Sequence, residues 1–210
     1  MAPDGDLGRA RAEELRASAA ALGIEEVILM DHPDGSLRWV DALEGEIAEV
    51  LRCHRPGAVI TFDIDGLYWH GDHIGVHERT TQAVVALGPE APPLYYVRMP
   101  EGAMRGAAEA AHTRGGGPPE SSLWGISPDA FGHASPPPSF SIDVRGWAGR
   151  KLAALRCHKT QAGSGSPFVW LDESDVRRWL GLELFRRAPI ETAGGDVLER
   201  LAGVLSGGEA

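Results

Sequence analysis

The sequence predicts an α/β fold, a mostly parallel sheet with helices on both faces. Short apolar runs alternate with stretches of helical period, and Gly, Pro or Asp residues punctuate most of the junctions between them. Strands alternating with helices across short turns build a parallel sheet covered on each side. The length of 210 residues fits one domain with a substantial core.

Residues 9–22 are rich in Ala, Arg, Glu and Leu, with Leu15 and Leu22 two turns apart and Gly23 placed to cap, so they read as a helix. Val27-Ile28-Leu29-Met30 reads as a buried strand, ended by the turn Asp31-His32-Pro33-Asp34-Gly35. Val40, Leu43, Ile47, Val50 and Leu51 mark an amphipathic helix that stops before Pro56-Gly57. Residues 58–62 are the next strand, and a helix from Asp72, its expected N-cap, runs to Leu87 before Gly88-Pro89. Leu94 to Val97 is another strand.

From Pro100 to Pro138 the pattern changes, and a long Gly/Pro-rich loop is expected within the domain. Phe140, Ile142 and Val144 alternate with polar residues as a half-buried strand. Helices are expected from Gly146 to Gln161, across Val176, Trp179, Leu180 and Phe185, and across Val197, Leu198, Leu201 and Leu205.

A formal charge of −10 leaves no basic stripe for a nucleic-acid backbone and no attraction to an anionic membrane. Cys53 and Cys157 make neither a disulfide framework nor a metal knuckle. The acidic start lacks a leader's apolar core, and no run approaches the ~20 apolar residues of a membrane span. A cytoplasmic protein acting on a small molecule is expected.

The chemistry concentrates in Tyr68-Trp69-His70-Gly71-Asp72-His73-Ile74-Gly75-Val76-His77, between a strand and a helix. An α/β sheet places its site outside the carboxyl ends of its strands. Neutral imidazole binds zinc and is tunable as an acid or base near neutral pH. His77 stands one turn beyond His73, but Ile74 replaces the Glu of an H-E-x-x-H protease pattern, and His77 reads as an exposed helical residue. Trp124, Asp129 and His133 fall in the long loop, where substrate contacts are commonly carried.

Four stretches resemble the PIG-L/LmbE family of zinc-dependent de-N-acetylases, in the family's order. They are Arg11-Ala12-Glu13-Glu14-Leu15 with Leu22-Gly23-Ile24, and His70-Gly71-Asp72-His73, which is similar to H-P-D-H with Gly71 in place of Pro. The others are Lys151 to Gln161, similar to K-x-x-A-L-x-x-H-x-[ST]-Q, and Gly181-Leu182-Glu183-Leu184-Phe185, similar to G-x-E-x-F. The resemblance implies a Rossmann-like fold and zinc-dependent hydrolysis of an N-acetyl group on an amino sugar or its conjugate.

By position, the resemblance makes His73 a zinc ligand and His70 the imidazole that protonates the leaving amine or supports the oxyanion. Asp72 would fix the tautomer of a neighbouring imidazole. Tyr68 would face the oxyanion or form an aromatic wall, and Trp69 would be a substrate contact. His158 either lines the pocket or bonds a neighbouring loop. Gln161 and Lys151 read as a cap and a surface residue.

The family also opens with a strand ending in H-P-D-D-E, which supplies a His ligand, an Asp ligand and the general base. Met1 lies already in the loop that leads to the R-x-x-E helix, so the first central strand is expected to be absent and the domain N-terminally incomplete. Weak zinc binding and little hydrolysis would follow. His32-Pro33-Asp34-Gly35 lacks the second acid and reads as a turn. A non-catalytic relative binding a sugar or partner in the same cleft is the alternative.

Overall fold

Four strands form a sheet in the computed structural model, which describes residues 4–133, 136–162, 166–193 and 195–206. They are β1 (Val59–Phe62), β2 (Leu94–Arg98), β3 (Phe140–Asp143) and β4 (Leu182–Arg187), in the order β1-β2-β4-β3. The longer helices are α1 (Asp4–Leu22), α2 (Leu43–His54), α3 (Gly71–Ala86), α4 (Ala103–Thr113), α5 (Ala148–Cys157), α6 (Glu173–Trp179) and α7 (Val197–Ser206).

The α/β class with an open sheet is as expected, but the sheet is mixed rather than mostly parallel. β1 runs parallel to β2, with Val59 opposite Leu94. β4 runs antiparallel to both neighbours, Phe185 lying opposite Val97 on one side and Phe140 on the other. The difference arises at Trp179, where the expected helix ends. A Cβ at Gly181 would lie 2.2 Å from the Arg177 carbonyl oxygen, so only glycine admits the tight turn there. Leu182 to Arg187 then extends as a strand, and the apolar spacing that looked helical is divided between two elements.

The chain divides into two units. The sheet unit comprises His32–Glu101, Ala130–Asp143 and Leu182–Ala210. Its core joins Leu51 of α2, Val84 of α3, Leu94 and Tyr96 of β2, and Ala91 and Ala188, all buried. α7 is tied to β2 by the Tyr95 hydroxyl, which donates to the Glu199 carboxylate at 2.5 Å.

The helical unit comprises Met1–Asp31, Gly102–Asp129 and Val144–Gly181. α4 lies inside the stretch expected to be a loop. Its buried residues, Ala103, Met104, Gly106, Ala107, Ala108 and Ala111, recur at helical spacing, a period that the Gly/Pro-rich composition of the surrounding stretch masked. The helix expected over 146–161 is broken at His158 (φ −80°, ψ 58°), which caps α5. Two stretches of the family pattern meet in this unit: the Glu14 carboxylate accepts from the Thr160 amide at 2.8 Å and from its hydroxyl at 2.7 Å.

Val27–Met30 is not a strand. Ile28, Leu29 and Met30 are 47%, 42% and 38% exposed, and no strand of the described residues pairs with them. An extended segment without a ladder partner gains too little to persist as a strand. Among the described residues no helix is long and apolar enough to cross a membrane.

Candidate functional site

The site lies in the sheet unit, where β1 ends and α3 begins. Asp63, fully buried, follows β1 directly, and its carboxylate is held by the Arg186 guanidinium of β4. The Asp63 carbonyl accepts from the Gly66 amide at 2.9 Å, and the Asp65 carboxylate accepts from the Leu67 amide at 3.1 Å. The chain then passes through left-handed backbone at Gly66 (φ 54°), Leu67 (φ 69°) and Trp69 (φ 66°). Bulky residues seldom adopt that region, and such strain persists only where the surroundings enforce it.

His70, rather than Asp72, is the N-cap of α3. Its Nδ1 accepts from the Asp72 amide at 3.2 Å. A ring nitrogen that accepts carries no proton, so neutral His70 is protonated at Nε2 and presents an N–H. His73 is the opposite case: its Nδ1 lies 3.0 Å from the Gly66 carbonyl oxygen. A carbonyl only accepts, so His73 carries its proton at Nδ1 and leaves the Nε2 lone pair free. The two rings lie 4.7 Å apart, an N–H donor beside a lone pair.

His73 stacks flat on Phe62 at 4.0 Å, and Tyr68 meets it edge-on at 5.3 Å. Burial pushes the His73 imidazole below its ordinary pKa; the Gly66 carbonyl opposes this, neighbouring His70 adds to it, and Asp72 opposes it weakly. The balance keeps the ring neutral, the form that offers a lone pair. Burial likewise raises the Tyr68 phenol. Tyr68 also packs on Phe131 at 4.8 Å, a wall residue that sequence reasoning missed inside the featureless stretch before residue 138. Trp69 is 58% exposed.

Asp72 does not hold an imidazole with its carboxylate. Oδ2 accepts from the Gly35 amide at 2.7 Å and Oδ1 from the Leu37 amide at 3.0 Å. Its effect on His70 runs through its own backbone N–H. The same bonds fasten the turn of His32-Pro33-Asp34-Gly35 to α3, while the His32 ring turns away to Glu46 at 2.6 Å. His77 is half-buried rather than exposed: its Nδ1 lies 2.9 Å from the Phe62 carbonyl and its ring 4.7 Å from Tyr96.

With this geometry in view, the comparison with known proteins is direct. Residues 1–84, which carry all of the histidine-bearing segment, match the family PIG-L: GlcNAc-PI de-N-acetylase. The chain thus carries a PIG-L family segment over residues 1–84 and is similar to deacetylases along most of its length. A relative from Acidothermus cellulolyticus, a 1D-myo-inositol 2-acetamido-2-deoxy-alpha-D-glucopyranoside deacetylase, is 28% identical over 85% of this chain and 68% of its own length. The Thermobispora bispora protein of the same name is 29% identical over 97% of this chain and 74% of its own.

Two solved structures share the fold. The conserved protein TT1542 from Thermus thermophilus superposes with a TM-score of 0.56 at 19% identity, covering 89% of this chain and 78% of its own. GalB, the 4-carboxy-2-hydroxymuconate hydratase from Pseudomonas putida, gives 0.57 at 17%, covering 89% and 74%. A hydratase on the same scaffold means that fold alone does not choose the chemistry.

The described residues bring no group of three His, Cys, Asp or Glu side chains into metal-binding range. His73 fits a zinc ion as a single ligand, by its free Nε2 and its carbonyl-bound Nδ1. His158 belongs to the helical unit, half-buried at the end of α5. In that unit Lys151 donates to the Leu180 carbonyl at 2.8 Å instead of standing free on the surface. Trp124 donates to the Gln161 carbonyl at 2.7 Å, and Asp129 accepts from Arg105 at 2.9 Å. His133, in the sheet unit, is exposed with Glu101 at 3.8 Å.

Proposed function

We propose that this chain hydrolyses, at a rate held low by the single zinc ligand among its described residues, the N-acetyl group of an acetamido sugar carried on a small-molecule conjugate, such as the glucosaminyl-inositol named for its relatives. The observation that carries the reading is the pair of opposite tautomers at His70 and His73. An amide gives up its nitrogen only if that nitrogen is protonated as it leaves, and its carbonyl oxygen needs a donor as it becomes an oxyanion. The Nε2–H of neutral His70 serves the second need, as a hydrogen-bond donor to the oxyanion. The Asp72 amide at Nδ1 disfavours the imidazolium that could surrender a proton, so the leaving nitrogen takes its proton from the attacking water.

His73 is the proposed zinc ligand, with Nε2 free and its ring wedged between Phe62 and Tyr68. Zinc, when bound, polarises the amide carbonyl and lowers the pKa of its water toward ~7. Tyr68 stays protonated through burial and serves as a second oxyanion donor, with Phe131 fixing its ring. Trp69, exposed beside His70, is the proposed platform for the sugar face. Cys53 and Cys157 are unpaired, which supports a reducing, cytoplasmic setting.

The test is release of acetate and a primary amine from N-acetylglucosaminyl-inositol by the folded, zinc-supplemented chain. His70→Gln and His73→Gln should each abolish it. Absence of acetate release from any acetamido sugar would overturn the proposal.

A further inference from the structure

We propose that Arg186 is a positioning residue for His73, acting through Asp63 and the turn that ends at Gly66. This rests on the role proposed above for His73, but the geometry stands apart from it. Arg186 donates Nε–H to Asp63 Oδ2 at 3.0 Å and Nη2–H to Oδ1 at 2.5 Å, a two-pronged grip on a fully buried carboxylate. Oδ1 also accepts from the Ile64 amide at 2.7 Å. The Asp63 carbonyl accepts from the Gly66 amide, which closes the turn. The Gly66 carbonyl is thereby aimed at His73 Nδ1. A guanidinium on the closing strand therefore decides which nitrogen of His73 bears the proton, three hydrogen-bonded contacts away.

A planar fork suits this task, because it fixes the direction of the carboxylate as well as its charge. A buried ion pair is weak evidence for stability and is better attested as a device for conformational specificity. The molecule contains its own control. His77 is held in the same way, Nδ1 to a main-chain carbonyl, but that carbonyl belongs to Phe62. Phe62 sits on β1 paired with Val97, so the sheet holds that carbonyl. It shares a peptide bond with Asp63, however, and the His77 ring packs on Tyr96, over which the Arg186 guanidinium lies at 4.6 Å. Losing the Arg186 fork should therefore change the His73 tautomer more than that of His77.

The experiment is ring-nitrogen NMR of the ¹⁵N-histidine-labelled, metal-free chain, well above the ordinary imidazole pKa of about 6.5. In the wild type, His73 and His77 should each appear as one form, protonated at Nδ1. In Arg186→Lys, which keeps the charge and loses the fork, His73 should become a mixture of tautomers while His77 stays protonated at Nδ1. The paired variant Asp63→Leu with Arg186→Met leaves no buried charge unmatched and should give the same selective change if the lysine variant fails to fold.

An Nε2–H tautomer of His73 in the wild type would overturn the inference. So would a folded variant in which His73 is unaltered, or one in which His73 and His77 change together. Failure of acetate release leaves these signals untouched, so the two proposals fail separately.

Discussion

His70 and Asp72 are joined through the backbone, not through the carboxylate: the Asp72 amide donates to His70 Nδ1 at 3.2 Å, while both carboxylate oxygens face the other way, onto the Gly35 and Leu37 amides. One residue thus does two separable things. Its amide sets the tautomer of His70, which any residue but proline at 72 would do. Its side chain fastens the 33–37 turn to the start of α3, which only an acceptor can do. Asp72→Ala should remove two hydrogen bonds that a buried carboxylate accepts from the amides of exposed Gly35 and half-buried Leu37. The unfolding free energy should fall by about 2–3 kcal/mol, against roughly 1 kcal/mol for Asp72→Asn, which keeps one oxygen. Urea midpoints measure the difference, and amide exchange should locate the loosening at Gly35 and Leu37. Equal losses for the two variants would contradict the assignment.

Gly66 is where His73 and the turn before it touch. A Cβ there would lie 2.9 Å from the His73 Cβ and 3.1 Å from the Ile74 amide nitrogen, and φ is 54°. Gly66→Ala should therefore lose about 2–3 kcal/mol from left-handed strain plus displaced packing. His73 should move with it, so the His73 ring-nitrogen signals are expected to shift while the His77 signals stay in place. A variant of wild-type stability would show that the turn yields freely.

The sequence made most elements legible where apolar period and punctuation agreed, as at Leu43, Ile47 and Leu51 on α2 or Gly88-Pro89 after α3. It misled where one property stood in for another. Val27–Met30 is apolar enough for a core strand, yet a strand needs a partner and residue type does not supply one. Trp179, Leu180 and Phe185 have spacing that fits a helix, but the tight turn at Gly181 resets the chain to a strand. At the site, the histidines were legible and their proton positions were not. Asp72 looked like the cap because aspartate usually is, but an imidazole with a bare Nδ1 accepts an amide equally well. Phe131 left no signal, because a lone aromatic in a Gly/Pro-rich stretch is placed only by tertiary contact.

Tyr95 ties β2 to α7 and should make the fold sensitive to alkali. Its phenol is raised to about 12, first by burial and then by the Glu199 carboxylate that accepts from it. The folded value lies above the unfolded value of about 10. The stabilising contribution is therefore complete below about pH 10 and declines as the pH climbs to about 12, because the unfolded chain releases the proton first. One proton limits the slope to about 1.4 kcal/mol per pH unit. Denaturant midpoints from neutral to alkaline pH should fall across that window in the wild type and fall less in Tyr95→Phe. Parallel curves would remove Tyr95 as the source.

Trp69 separates stability from use. Its backbone is left-handed (φ 66°) and its side chain is 58% exposed, so the residue carries strain while gaining little from packing. Strain of about 1–3 kcal/mol is retained at such positions when the site needs the side chain where it is. Trp69→Gly relieves the strain but frees the unfolded chain, which takes back about 0.5–1 kcal/mol. The variant should therefore be as stable as the wild type or more stable by up to about 1 kcal/mol. If the indole supports the sugar, the same variant should bind substrate more weakly, with KM raised and kcat nearly unchanged, because a platform contacts ground and transition states alike. Trp69→Phe should recover part of the loss. A fall in kcat with KM unaltered would move Trp69 from holding the sugar to placing His70.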